Sequence, residues 1–330
     1  MTVAFDIGVL PQRPVSELVD LAVRAEDSGF RGLWIADSQS IFRDVYVALA
    51  ACALQTHGML LATGVTNPLT RHPAVTASSI ATLNELSGGR AVLGMGCGES
   101  AVRTLGMRPS TLARLEKTTH LIRSLLAGES VDYRGSRLEM PWSSAQVPIY
   151  LASSGPKSLR LAGAIADGVL FQVGATTELV GYALDNIRQG AEEAGRNFEE
   201  IQLCLRLACS VSEDRDQARA DIRPYAAAAA LTTFSSIPDS YISPQIREDV
   251  GRLKEQYNYY KHASSEADHR ALVTDRLLDA VAIAGTPRQA VPGLRRLVDL
   301  GVHRIVMPVT VPDPVSWIHT LAEQVFPHLT

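Results

Sequence analysis

One repeated unit constrains this chain more than any other feature. A short β-branched or apolar run is followed by a stretch with helical periodicity, and the pair recurs along the whole length. The apolar runs occupy residues 3–9, 32–36, 60–66, 91–97, 148–152, 168–173, 201–210 and 304–309. These are eight strand–helix units with no break point of a doubly wound sheet. No linker rich in Pro, Gly or Ser divides the chain, so two open α/β domains are the weaker reading. The pattern predicts an α/β fold, a (β/α)8 TIM barrel, as a single domain over residues 1–330.

Local chemistry marks the helix ends. Val15, Leu18, Val19, Ala22 and Ala25 share one face of the first helix, and Gly29 stands where it should stop. The third helix is expected to begin at Pro73 and to end before Gly88-Gly89. Thr286-Pro287-Arg288-Gln289 reads as a capping box with proline just inside it.

Two segments exceed what a barrel needs. Residues 131–142 contain Tyr133-Arg134-Gly135-Ser136-Arg137, which predicts a hairpin before the fifth strand. Residues 222–269 form a longer, irregular insertion between the seventh and eighth strands. It is read either as a lid or substrate-specificity segment, or as an oligomer contact.

Composition narrows the function classes. The 31 basic and 35 acidic residues give a net charge of −4 and are scattered, so no basic block argues for nucleic acid or acidic lipid. The start of the chain lacks the charged-then-apolar run of a signal peptide, and no apolar stretch has the length of a membrane span. Cys52, Cys97, Cys204 and Cys209 have neither Cys-x-x-Cys nor metal-ligand spacing, so no metal is expected. The expectation is a cytoplasmic enzyme with reduced thiols.

In a barrel the strands' C-terminal ends converge on the face where chemistry occurs. The second strand ends at Asp37, which either binds or relays a proton, or caps its loop. The third ends in Gly64-Val65-Thr66-Asn67, where a flat ligand could approach the backbone. The fourth ends in Gly94-Met95-Gly96-Cys97-Gly98-Glu99. Its loose match to a dinucleotide fingerprint lies on the wrong unit and lacks the expected acid, but its glycines thin the wall beside Glu99. The fifth strand leads from Ala152 into Ser153-Ser154-Gly155-Pro156-Lys157, a helix start suited to phosphate. The sixth ends near Val173-Gly174, a second backbone site beside it. On the seventh, Gln202, Cys204, Arg206 and Ala208 should face inward, Arg206 as an ion-pair partner or a ligand contact. Backbone cradles, carboxylates and one phosphate seat suit a phosphate-bearing organic cofactor that carries the difficult chemistry itself.

The segment Val65-Thr66-Asn67-Pro68-Leu69-Thr70-Arg71-His72-Pro73, with Asn84-Glu85-Leu86-Ser87-Gly88-Gly89-Arg90, resembles the bacterial luciferase-like superfamily. Together with Gly94 to Glu99, Arg43-Asp44-Val45-Tyr46 and Ser154-Gly155-Pro156-Lys157, it is most similar to the deazaflavin-dependent methylenetetrahydromethanopterin reductase branch. The resemblance implies a TIM barrel that binds coenzyme F420, or alternatively FMN, and a non-prolyl cis peptide at Gly64-Val65. It implies that Asp37, Thr66, Asn67 and the loop Gly96, Cys97, Gly98, Glu99 line the ring. It further implies that Ala152 to Pro156, with Val173 and Gly174, hold the phosphate side. Gly8 stands where those reductases carry glutamate, and Ser38 where they carry histidine, which points to a different small organic substrate. The reading that follows is F420-dependent hydride transfer, with Asp37 and Glu99 as the catalytic carboxylates and a homo-oligomer as the assembly. The alternatives are an FMN-dependent monooxygenase that uses oxygen and a partner flavin reductase, and a non-catalytic flavin-binding barrel.

Overall fold

The computed structural model describes residues 3–257 and 268–329. Its strands are β1 (Ala4–Val9), β2 (Gly32–Ile35), β3 (Leu60–Thr63), β4 (Ala91–Met95), β5 (Val131–Tyr133), β6 (Ser136–Leu138), β7 (Ile149–Ser153), β8 (Gly168–Phe171), β9 (Gln202–Arg206), β10 (Ala208–Val211), β11 (Ala282–Gly285) and β12 (Arg304–Pro308). The helices of the first half are α1 (Val15–Asp27), α2 (Val45–Ala53), α3 (Pro73–Leu86), α4 (Ser100–Arg103), α5 (Leu112–Leu126) and α6 (Pro156–Ile165). Those of the second half are α7 (Thr177–Glu193), α8 (Arg215–Phe234), α9 (Pro244–Gln256), α10 (Asp275–Val281), α11 (Pro287–Val298) and α12 (Pro314–Gln324).

Eight parallel strands close into a barrel in the order β1-β12-β9-β8-β7-β4-β3-β2. All eight expected strands are present at the expected places. Closure follows from period-two alternation along strands buried on both faces. One set of side chains faces the helices. The other fills the interior, where Trp34, Ala62, Val92, Tyr150, Leu170, Cys204 and Val306 each come from a different strand. At one level of this interior the buried Asp6 accepts from Arg304 at 2.6 and 2.7 Å and from the Trp34 indole at 2.9 Å. Gly32 makes room for that carboxylate, since a methyl there would lie 2.6 Å from Asp6 Cγ.

The local signals hold. The helix α1 buries Leu18, Ala22 and Ala25 and ends just before Gly29, whose φ is +89°. Pro73 opens α3. In the box at α11, the Gln289 side chain accepts from the Thr286 amide at 3.0 Å. The hairpin forms from β5 and β6 with Arg134 and Gly135 at positive φ, the geometry of a two-residue turn.

Two expectations need correction. The run 201–210 is two strands. The chain leaves the barrel at Leu207, and β10 pairs in parallel with β11 in a separate two-stranded sheet that supports α8. Both halves are apolar and alternating, so the break has no period of its own in the sequence. The insertion 222–269 is also not irregular where it is described. It begins inside α8, which runs unbroken from Arg215 past Pro224 to Phe234, and continues through α9. Residues 258–267 of it, including most of the aromatic stretch 257–260, lie outside the described residues. The fully buried Asp249 carboxylate ties α9 to the start of α10. It accepts from Arg276 at 2.6 and 2.9 Å, from Thr274 at 2.6 Å and from Arg252 at 2.6 Å. Arg276 chiefly, with Thr274 and Arg252 and against the effect of burial, holds this carboxyl down at about 2.

Candidate active site

The C-terminal ends of β3, β4 and β7 build one wall. After Thr63 the chain makes a cis peptide at Gly64-Val65, as expected from the resemblance. The Thr63 side chain bridges the resulting gap in the ladder. Its hydroxyl donates to the Gly94 carbonyl at 2.8 Å and accepts from the Gly94 amide at 2.9 Å. The ladder then resumes between Thr66 and Gly94 and between Gly96 and Thr66. A methyl on Gly94 would overlap the Thr63 carbonyl oxygen and crowd Val65 at 3.1 Å and the Trp34 ring at 3.2 Å. A methyl on Gly96 would sit 3.2 Å from Val65 Cγ2 and 3.3 Å from Ala152 Cβ. The Val65 bulge and the strand leading to Ser153 are therefore neighbours across one glycine. The result is a flat wall made of backbone and small side chains, above the Trp34 ring.

Beside it, β7 ends at Ser153 and α6 starts at Pro156 with Gly155 as its cap residue and no side-chain cap. The hydroxyls of Ser153 and Ser158 donate to the carbonyls of Ser158 and Gly155 at 3.0 and 2.9 Å. Among the described residues the amides of Gly155, Lys157 and Ser158 find no acceptor, because the first turn bond is Leu159 to Gly155. Donors of this kind at a helix start are what a phosphate binds. Lys157 is exposed and Ser154 half-buried. Ser236, two residues past α8, closes one side, with its carbonyl 3.2 Å from the place a Gly155 Cβ would take. Val173 is fully buried, and Gly174, at φ +101°, tucks under the Ala280 carbonyl, which also accepts from Ala175 at 2.9 Å.

The two carboxylates singled out in the sequence stand in unlike places. The Asp37 side chain is 1% exposed. Its Oδ2 accepts from the Thr66 hydroxyl at 2.6 Å and from Arg71 Nη1, while Arg71 Nη2 donates to Asp44 at 2.8 Å. Asp44 in turn caps α2 through the amides of Tyr46 and Val47. Burial alone would raise the Asp44 carboxyl, but the Val47 amide and Arg71 outweigh it and hold it below its ordinary value. Arg71 lies 5.1 Å over the Tyr46 ring. Burial first, and then the Asp37 charge, push the Tyr46 hydroxyl far above its usual range. Glu99 is 63% exposed on the rim and pairs with Arg103 one turn along. Desolvation raises the Cys97 thiol. Asn67 spends its side chain on its own turn, accepting from the amides of Leu69 and Thr70 at 3.0 Å each and donating to Thr70 at 3.1 Å.

Arg71 and Tyr46 were missed as site residues. Both stood inside the peptides that carried the family resemblance, yet nothing in their spacing says that the two loops meet. Among the described residues no cluster of His, Cys, Asp and Glu is arranged to hold a metal, and no helix is long and apolar enough to cross a membrane.

Comparison with known proteins places this geometry. Residues 2–304 match the family model described as luciferase-like monooxygenase. The 5,10-methylenetetrahydromethanopterin reductase of Methanolobus tindarius is 35% identical over 314 residues, covering 92% of this chain and 93% of that protein. The F420-dependent glucose-6-phosphate dehydrogenase of Nakamurella multipartita is 31% identical, covering 95% and 92%. Among solved structures, the coenzyme F420-dependent tetrahydromethanopterin reductase of Methanopyrus kandleri superposes with a TM-score of 0.82 at 27% identity, over 100% of each chain.

Proposed function

Because this chain belongs to the luciferase-like family, we propose that it is a coenzyme F420-dependent oxidoreductase that moves a hydride to or from a small organic substrate. The observation that carries this is the adjacency of the flat glycine wall and the amide seat on either side of Gly96. The wall suits a planar tricyclic ring, and the seat suits its phosphate. The relatives at 31–35% identity printed above are reductases and dehydrogenases, one of them named for F420. That favours the deazaflavin over FMN and removes the need for a partner flavin reductase.

When bound, the deazaflavin supplies a hydride-accepting or hydride-donating carbon, C5 of its ring. The chain supplies the rest. Val65, Gly94, Gly96 and Ala152 would form the surface that holds the ring, with Cys97 and Gly98 beside them. The free amides of Gly155, Lys157 and Ser158 would take the phosphate, with Ser153, Ser154 and the backbone of Val173 and Gly174 contributing. Asp37, with Thr66 and Arg71 both on Oδ2, orients the Thr66 hydroxyl. Asn67 holds the turn that presents Thr66. Glu99, on the water-exposed rim beside Arg103, is the group that moves a proton at the mouth. A positioned acid or base of this sort contributes about 10²–10⁴-fold to rate. Glu99→Gln should therefore leave F420 affinity unchanged and slow turnover by about 10²-fold once a substrate is found. Unchanged turnover would remove Glu99 from the chemistry. The direct test of the function is a fluorescence titration with coenzyme F420 and, separately, FMN.

The assembly is a homo-oligomer through α2 and α3. The helix α2 carries no charged residue, and Val47 on it and Leu54 at its C-cap stay 64% and 62% exposed, as do Val75 and Leu86 of the neighbouring α3 at 53% and 44%. Exposed apolar residues on two neighbouring helices offer a surface for a partner, and a second copy offers the same residues in return. Light scattering should give a dimer or larger for the native chain and a monomer for Val47→Glu. A native monomer would contradict this. All four cysteines are free, which fits a reducing compartment and a cytoplasmic protein.

A further inference from the structure

In the barrel order, β9 lies four strands from β3 in either direction, so it stands directly across the mouth from the Gly64-Val65 wall. Its inward series is Gln202, Cys204 and Arg206, of which Cys204 belongs to the interior cluster. Arg206 is therefore the inward residue at the open end. It is half-buried, and its Nε donates to the Tyr225 hydroxyl of α8 at 3.2 Å. Among the described residues its Nη1 and Nη2 have no acceptor and no carboxylate pairs with it, whereas Arg304 is paired with Asp6 and Arg219 with Asp275 and Asp279. The flanking strands add further unspent polar groups. Gln172, just past β8, makes no side-chain hydrogen bond within the described residues, and the buried Thr310 hydroxyl, two residues past β12, has no partner.

A half-buried guanidinium without a counter-charge, pinned through Nε and with its two-pronged edge unused, is built to receive a planar or tetrahedral anion in a forked pair. We infer that Arg206 anchors an anionic group, a carboxylate or a phosphate, on the substrate, across the mouth from the cofactor wall. This deepens the proposed function and rests on it for the cofactor's place on the β3 side. Tyr225 is a positioning residue that fixes the fork, and Gln172 and Thr310 complete the arc. The insertion helix α8 thereby takes part in substrate choice, because it supplies the hydroxyl that orients the guanidinium.

The guanidinium itself can report on the test, which uses the full chain. Nitrogen-15 spectra of arginine side chains identify the Arg206 Nε signal as the one absent from Arg206→Gln, or from Arg206→Lys should the first variant not fold. Sodium succinate and sodium sulfate are titrated separately, with sodium chloride as the control. A saturable shift of that signal with either anion is expected, and the anion that binds more tightly tells carboxylate from phosphate. Tyr225→Phe should keep the shift but weaken binding by about fivefold, the worth of one hydrogen bond. An Arg206 signal that follows both anions no further than chloride overturns the inference, as does unaltered affinity in Tyr225→Phe. Titrating the same sample with coenzyme F420 separates the two ways of failing. Anion binding without F420 binding sinks the cofactor reading, and F420 binding with a silent Arg206 sinks this one.

Discussion

Gly94→Ala is expected to yield a protein that folds poorly and binds no coenzyme at measurable affinity. The added methyl has nowhere to go. It overlaps the Thr63 carbonyl oxygen, which is backbone, and presses on Val65 and Trp34 at 3.1 and 3.2 Å. Overpacking a tight site costs about 1–3 kcal/mol and occasionally more. Here the neighbour cannot rotate away, so about 3 kcal/mol is expected. Relief requires Thr63 to move, which breaks its two hydrogen bonds to Gly94 and shifts the Val65 wall. A displacement of the order of 1 Å costs about 10²-fold in rate where groups must be positioned, and F420 affinity should fall with it. Gly96→Ala is the informative contrast. Its methyl meets Val65 Cγ2 at 3.2 Å and Ala152 Cβ at 3.3 Å, contacts relieved by a shift of a few tenths of an ångström. That variant should keep its melting temperature and lose affinity because the slot is filled. Native affinity in both variants would mean that the ring does not lie on this wall.

Removing the guanidinium at Arg71 should cost more stability than removing either carboxylate it bridges. Arg71→Met leaves Asp37, 1% exposed, as a buried anion with only the Thr66 hydroxyl for company. Breaking a buried pair from one side costs about 3–5 kcal/mol. In a chain of this size that corresponds to a fall in melting temperature of roughly 10 °C. The double variant Arg71→Met with Asp37→Asn should recover much of the loss, since the charge that remains unpaired is the half-exposed Asp44 and none is buried. Acid should narrow the gap between the native chain and Arg71→Met. Asp44 sits below its ordinary value in the fold, so its contribution is complete above about pH 4 and is lost as pH falls further. Thermal melts across pH 3–7 read this directly. A gap that widens in acid, or a double variant less stable than Arg71→Met, contradicts the network described here.

What was legible in the sequence follows from period and punctuation. The barrel could be read because eight apolar runs alternate with helices, and helix ends such as Pro73, Gly29 and Thr286 have local chemistry that tertiary packing does not override. The glycines of residues 94–98 marked the thin wall correctly, for the reason that they line a close approach of β3 and β4. The exit of the chain from the barrel at Leu207 was hidden because Leu203, Leu205, Leu207 and Cys209 keep one continuous alternation on both sides of it. Residues 222–234 read as irregular because an alanine-rich stretch with a proline has no polar face to give it a period. It is buried apart from Arg223 and Thr232, and Ala226 to Ala230 are all under 5% exposed. Asp37 was legible as a strand-end carboxylate, but its partner lies 34 residues away and its role depends on that distance being closed. Glu99 was legible as a carboxylate beside glycines, and only the fold places it on the exposed rim.

The most direct test of the whole account is a fluorescence titration of the purified chain with coenzyme F420 and with FMN under identical conditions. Saturable binding of the deazaflavin, much tighter than that of FMN and lost in Gly94→Ala, is the predicted result. Indifference to F420 together with tight binding of reduced FMN would contradict it and would turn the same wall and phosphate seat over to oxygen chemistry.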